Sequence, residues 1–257
     1  MASGENERNG GKIDNRNSSI QDLREAYAMA LTDDGESGRL FDSLRFVPYQ
    51  KFRAANQIPR SSMHLTAEYT PKSHSKENSE SAVDFVVFFS YRWMRPGMLS
   101  PDDDNHTQYG RMLLALESFF EMNPSISPQR LGVWVDYACI DQDNAQARQS
   151  GISTLPLILV QCDALISLTS NGYYDRAWCT LEVDMARSLI MSYGVHKWFV
   201  YDATEMAEIG KGPRKLYLQS GPIQKLASSL SDKKCSQPSD WPTLIFLERQ
   251  TQLLGRG

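Results

Sequence analysis

The sequence predicts an α/β protein built around a parallel sheet. Apolar runs recur from residue 84 onward, at 84–90, 131–136, 163–169 and 197–201, with a weaker one at 215–218. The stronger runs are continuous rather than alternating, as in strands covered on both faces. Segments with helical spacing lie between several of them. Strands alternating with helices in this way imply βαβ crossovers and a parallel sheet. Five such strands commonly take the order 2-1-3-4-5 with right-handed crossovers, a flavodoxin-like arrangement flanked by helices.

The elements follow in order. Residues 1–18 are polar, rich in Gly, Asn, Glu and Ser, and read as a disordered tail. Residues 19–80 read as a helical arm and linker. Ser19 caps a helix over 19–32, Asp33-Asp34-Gly35 breaks it, and 40–52 continues as a second helix. Residues 57–80 carry Pro59, Pro71 and many polar residues, and read as a linker without strands. The sheet-bearing domain spans 81–220. Its first strand, 84–90, is followed by a helix over 107–121, with apolar positions at Tyr109, Met112, Leu113, Leu116 and Phe120. The second strand, 131–136, leads into a polar loop, 137–150, and a helix over 152–161. The third strand, 163–169, precedes a helix over 177–191. The fourth strand is 197–201, and 215–218 is a weak fifth. Residues 221–257 form a C-terminal extension with helices at 222–230 and 242–254.

Bulk properties narrow the function. The 257 residues are 41% hydrophobic and 23% charged, as in an ordinary soluble protein. A net charge of −4 and a pI near 5.6 do not suggest a nucleic-acid binder. No run reaches the ~18 apolar residues of a membrane helix, and the N-terminus has no hydrophobic signal core, so no membrane partner is expected. Cys139, Cys162, Cys179 and Cys235 are scattered and form no CxxC pair. A zinc site or disulfide framework is therefore not expected, and a cytoplasmic, reducing setting is. Cys162 sits in apolar sequence and reads as a small core residue. There is no P-loop and no GxGxxG, which argues against a kinase or a dehydrogenase.

In a 2-1-3-4-5 sheet the ligand crevice opens between strands 1 and 3, beyond their C-terminal ends. The first strand ends in Ser90-Tyr91-Arg92-Trp93, an aromatic-cation-aromatic cluster. The third strand runs through Tyr173-Tyr174-Asp175-Arg176-Ala177 into a helix carrying Trp178 and Glu182, four residues apart. That spacing sets Trp178 and Glu182 on one helical face. Topology thus brings Arg92, Trp93, Trp178 and Glu182 to one crevice suited to a flat, phosphate-bearing ligand. Asp136, Asp141 and Asp143 follow the second strand, as a polar rim or as turn and capping residues. The run Asp102-Asp103-Asp104 reads as a solvated loop rather than a cation site.

These tracts resemble a TIR (Toll/interleukin-1 receptor-like) domain in a divergent, fungal-type form. Residues 87–93, Val-Phe-Phe-Ser-Tyr-Arg-Trp, resemble the first TIR box. Gly132-Val133-Trp134-Val135-Asp136 and the loop after it resemble strand B and the BB loop. Residues 165–169 followed by Trp178-Cys179-Thr180-Leu181-Glu182 resemble strand C and its S-x-W-C-x-x-E helix. The likeness covers about residues 84–220. It departs at Arg176-Ala177, where the family has Ser before Trp, and in the 137–144 loop, which lacks the usual Gly-bearing pattern. The last TIR box is absent.

The resemblance implies an NAD+ glycohydrolase, or a cyclase or base-exchange enzyme, with NAD+ as substrate and no further cofactor or metal. Glu182 holds the place of the family's catalytic Glu. Ser90, Tyr91, Arg92, Trp93, Asp136 and Trp178 are the expected substrate-binding residues. Self-association into a homo-oligomer is also implied. One carboxylate suffices for this reaction, because nicotinamide is cationic on the ribose and leaves as a neutral base without being protonated. Two other readings remain open. One is a non-enzymatic TIR-like module that signals by self-assembly. The other is a nucleoside or nucleotide N-glycosidase or deoxyribosyltransferase on the same fold.

Overall fold

The computed structural model describes residues 44–68, 83–96, 100–193, 196–202, 217–218 and 229–254. Within them lie strands β1 (Arg45–Pro48), β2 (Ala67–Glu68), β3 (Phe85–Tyr91), β4 (Leu131–Trp134), β5 (Ala164–Thr169), β6 (Lys197–Asp202) and β7 (Tyr217–Leu218). The helices are α1 (Tyr49–Ala54), α2 (Thr107–Met122), α3 (Asp136–Cys139), α4 (Ala145–Ser153), α5 (Leu155–Gln161), α6 (Ala177–Tyr193) and α7 (Trp241–Leu254). The α/β class stands. The expected tail at 1–18, the helix at 19–32 and the arm beyond residue 68 fall outside the described residues, as does most of the helix expected at 222–230.

The sheet is mixed, not the all-parallel five-stranded sheet expected. Six strands run in the order β1-β4-β3-β5-β6-β7, and the two-residue β2 pairs with β1 beyond that edge. The central four are parallel, with Val87 beside Val133 on one side and beside Ala164 on the other, and Ile166 beside Phe199. Both outer strands are antiparallel. β7 meets β6 through Val200 and Tyr217, and β1 meets β4 through Val47 and Val133. An antiparallel edge strand needs no helical crossover, so short segments suffice at both edges.

β1 replaces the first described part of the helix expected at 40–52, whose end, 49–52, does lie in α1; β2 corrects the strandless linker expected at 57–80. Leu44 and Phe46 point into one core and Val47 into the other, an alternation that suits a covered strand rather than a helix. The close approach of β1 also explains a glycine. A side chain at Gly132 would have its Cβ 2.7 Å from the Phe46 ring, so only Gly lets the two strands pair here. The 137–150 loop is shorter than expected, because α3 and α4 occupy most of it. Asn144 starts α4 by accepting hydrogen bonds from the backbone of Gln146 and Ala147.

Two cores sandwich the sheet. On one face Val87, Phe89, Tyr91 and Ile166 pack against α1 and α2 through Phe52, Met112, Leu116 and Phe119. On the other, Val86, Phe88, Trp134 and Leu165 pack against α5, α6 and α7. Phe88 and Trp134 stack with their ring centres 4.2 Å apart. Cys162 is buried there, as expected of a small core residue.

The acidic run 102–104 lies in a loop, as expected, but its first two carboxylates cap the helix that follows rather than facing solvent alone. Asp102 is buried and accepts from the backbone N–H groups of Gln108 and Tyr109, while Asp103 accepts from Thr107. Carboxylates at the positive end of α2 satisfy its unpaired donors. Asp104 pairs with Arg95. Among the described residues no helix is long and apolar enough to cross a membrane.

Candidate active site

Three chain segments meet beyond the C-terminal ends of the parallel strands. β3 ends at Ser90-Tyr91 and continues into Arg92-Trp93. β4 turns directly into α3, which opens with Asp136. The loop after β5 turns through Gly172, at a φ of 76° that favours glycine, and enters α6 with Trp178 and Glu182. Between them lies a cavity in which the centre of a water molecule can range over about 170 Å³. That is space for roughly six waters, at about 30 Å³ each. Tyr91, Arg92, Trp93, Asp136, Trp178 and Glu182 all line it.

Glu182 keeps one face on the cavity while the surrounding protein strips most of its water. The Ser90 hydroxyl donates to Glu182 Oε2 at 2.5 Å. Desolvation raises its pKa from the ordinary 4.5 to about 8; the charge of Asp136 adds to the rise and the Ser90 hydrogen bond opposes it. At neutral pH this desolvation favours the protonated form of Glu182.

Asp136 is bound quite differently. Tyr91 donates to its Oδ1 at 2.6 Å, Trp93 Nε1 to its Oδ2 at 2.9 Å, and its neighbour's backbone, Tyr137 N, to Oδ1 at 2.7 Å. Burial raises its pKa, and the Tyr91, Trp93 and Tyr137 donors hold that rise back. The Tyr91 phenol is pushed well up by burial first and by Asp136 second.

Comparison with protein-family models, curated proteins and solved structures finds no match for this chain. What the cavity can do is read from its own residues.

The residues named from sequence do not all face the cavity in the same way. Ser90 is fully buried and reaches the site only through Glu182. Tyr91 and Trp93 spend their polar atoms on Asp136, which leaves ring surface to the cavity; Trp93 also meets Tyr137 edge-on at 5.6 Å. Trp178 is half-buried and donates from Nε1 to Asp240 Oδ2 at 3.0 Å. Asp141 and Asp143 are turn and tether residues: Asp141 Oδ1 accepts from the backbone of Asp143 and Asn144, and Asp143 pairs with Arg60.

Several lining residues were not foreseen. Arg60, Arg148 and Arg176 join Arg92, so four guanidinium groups border the cavity. Arg60 also donates to Tyr137 at 3.1 Å and to Asp143 at 2.6 Å, which ties the segment before β2 to the loop after β4. The far wall comes from the end of the chain. Ser236, Gln237 and Asp240 line it, and Lys234 holds that segment to the start of α6 by exchanging backbone hydrogen bonds with Asp175 and Ala177. Sequence spacing could have flagged Arg176, which sits two residues before Trp178. Nothing local marks Arg60 or Asp240, because each meets its partner across a long stretch of chain.

The site is rich in cations and flat rings around Glu182, a desolvated carboxylate with one side-chain donor among the described residues. Guanidinium forks suit phosphate oxygens, and indole faces suit heteroaromatic bases. Cys179 also borders the cavity, but burial pushes its thiol well up, which makes it a poor nucleophile. Among the described residues no group of three or more His, Cys, Asp or Glu could hold a metal ion.

Proposed function

We propose that this chain cleaves the bond between nicotinamide and ribose in NAD+, as a TIR-like glycohydrolase acting through Glu182. One observation carries the reading: a desolvated carboxylate with a single side-chain donor faces a cavity lined by four arginines and two tryptophans. Arginines there bind the pyrophosphate. Trp93 or Trp178 stacks on a base. Placing the cationic nicotinamide riboside beside Glu182 favours its ionised form, so the carboxyl releases its proton to solvent as substrate binds. The C1′–N bond then breaks, and its electron pair leaves with neutral nicotinamide. The carboxylate stabilises the positive charge developing on the ribose. Water adds to C1′ and loses a proton, giving ADP-ribose. Attack by a second base instead of water gives base exchange, and attack by the substrate's own adenine gives a cyclic product.

The raised pKa of Glu182 favours a second reading. A carboxyl protonated at neutral pH suits a leaving base that must accept a proton, as in nucleoside or nucleotide N-glycosidases and deoxyribosyltransferases. The arginine lining tips the balance to a substrate with two phosphates. The test is to incubate the purified protein with NAD+ and with a panel of nucleosides and nucleotides, and to follow free base by chromatography. Nicotinamide release, absent in Glu182→Gln, supports the first reading. Base release from nucleosides alone supports the second. No release from any of them leaves the self-assembling signalling module.

A further inference from the structure

A line of buried side chains crosses the sheet towards Glu182, and of its members only Ser90 and Glu182 were expected to matter. Ser90 and Ser167 are directly opposed on β3 and β5. Both are fully buried. Trp198 Nε1, on β6, donates to Ser167 Oγ at 3.0 Å. Ser167 lies close enough to the Tyr173 hydroxyl to lower its pKa, and Tyr173, in the loop after β5, hydrogen-bonds Ser90 Oγ. Ser90 donates to Glu182.

Counting protons gives this line a direction. Indole N–H is only a donor, so Ser167 accepts from Trp198 and turns its own proton to Tyr173. A serine hydroxyl has one proton. With Glu182 ionised, Ser90 commits its proton to that carboxylate, so the proton between Tyr173 and Ser90 must come from Tyr173. Each hydroxyl thus accepts from behind and donates ahead, and bonds in such a chain strengthen one another.

We propose that Tyr173 is a positioning residue that, by donating to Ser90, fixes the Ser90 proton on Glu182 and so sets the orientation and acidity of that carboxyl. The proposal rests on Glu182 as the working carboxylate. The bland alternative is that Tyr173 simply fills the core, where it is 1% exposed and touches Tyr174 edge-on. Packing alone does not explain why its hydroxyl lies between two buried serines.

The test reads Glu182 directly. Its side-chain carboxyl is followed by carbon NMR in glutamate-labelled protein, with the signal assigned by its loss in Glu182→Gln. Other groups facing Glu182 are Asp136, Tyr91, Cys179 and the cavity arginines Arg92 and Arg176, and all are kept. Tyr173→Phe removes the donor and keeps the ring. The Glu182 midpoint should rise by roughly half to one pH unit, the worth of one ordinary hydrogen bond. Ser90→Ala should raise it further. Adding Tyr173→Phe to Ser90→Ala should change nothing more, because Tyr173 acts only through Ser90. In turnover of NAD+, Tyr173→Phe should lower kcat/KM about fivefold at neutral pH, with the loss shrinking at alkaline pH.

An unmoved midpoint in Tyr173→Phe, or an equal shift with and without Ser90, overturns the proposal. If Tyr173→Phe does not fold, Ser167→Ala breaks the chain one link earlier and should move the midpoint the same way by less; no movement there also overturns it. The titration needs no substrate. A protein without NAD+ cleavage but with the expected shifts would refute the proposed function and leave the hydrogen-bonded line standing.

Discussion

Of the three carboxylates that line the cavity, Asp136 and Glu182 are held in opposite ways. Asp136 receives three donors, from Tyr91, Trp93 and the Tyr137 backbone, so both of its oxygens are committed. Glu182 receives one among the described residues, from Ser90. Burial raises the pKa of both. A carboxylate saturated with hydrogen bonds organises its neighbours: Asp136 fixes Tyr91 and Trp93 and joins the end of β3 to the start of α3. A carboxylate with spare acceptor capacity in a dry site is poised to meet a developing positive charge. The proposed function gives the structural part to Asp136 and the chemical part to Glu182.

The largest effect should separate them outright. Glu182→Gln keeps an acceptor for Ser90 and so keeps the fold, but should lower kcat/KM for NAD+ by about 10²–10³-fold. Asp136→Asn should cost only a few-fold in turnover. Its damage should appear as a lowered Tm instead, because the new amide sets N–H against the Trp93 or Tyr91 donor and leaves a buried polar group unsatisfied. Steady-state kinetics and thermal unfolding of both variants check this. If Asp136→Asn is the more inactive of the two while still folded, the assignment is reversed.

A smaller effect is expected at Arg92. Arg92→Ala should raise KM for NAD+ about tenfold, with little change in kcat, if it holds the phosphates alike in ground and transition states. Arg92→Lys should recover only part of this, since an ammonium cannot reproduce a two-pronged contact. Nicotinamide mononucleotide, with one phosphate, should suffer less than NAD+. Equal kinetics for wild type and Arg92→Ala on both substrates would remove Arg92 from the site.

The smallest effect is on pH dependence. kcat/KM reports the free enzyme. For NAD+ the working form is the carboxylate, so kcat/KM should rise with pH and level off above the Glu182 pKa of about 8. A nucleoside hydrolysed by the protonated form would show the reverse, falling above about 8. Asp136→Asn removes a negative neighbour that raises the Glu182 pKa. It should therefore move the limb to lower pH by a fraction of a unit. An unmoved limb would show that the two carboxylates do not sense each other.

Much of this layout was legible in the chain, and the boundary has physical causes. Continuous apolar runs at 84–90, 131–136, 163–169 and 197–201 identified the four parallel strands, because strands covered on both faces need apolar residues throughout. Trp178 and Glu182 shared a face because helical spacing is local. The edges of the sheet were harder to read. β1 is four residues long and amid helical spacing, and β7 is two. Segments so short take their structure from the strand beside them rather than from their own pattern. Arg60 and Asp240 went unseen because each enters the cavity by contact with a distant segment. Tyr173 was quoted with its neighbours, but its role depends on Ser90 and Ser167 lying opposite each other, a register that local pattern does not reveal.

The wall supplied by the end of the chain has a consequence for how the protein is made. Trp178 and its partner Asp240 are 62 residues apart. At ~5–20 residues per second of synthesis, roughly 3–12 seconds separate their emergence from the ribosome. Ser90, Tyr173 and Glu182 are all out before Asp240 arrives, so the nascent chain carries Glu182 in a half-walled cleft. The cleft is walled only once residue 240 has been added.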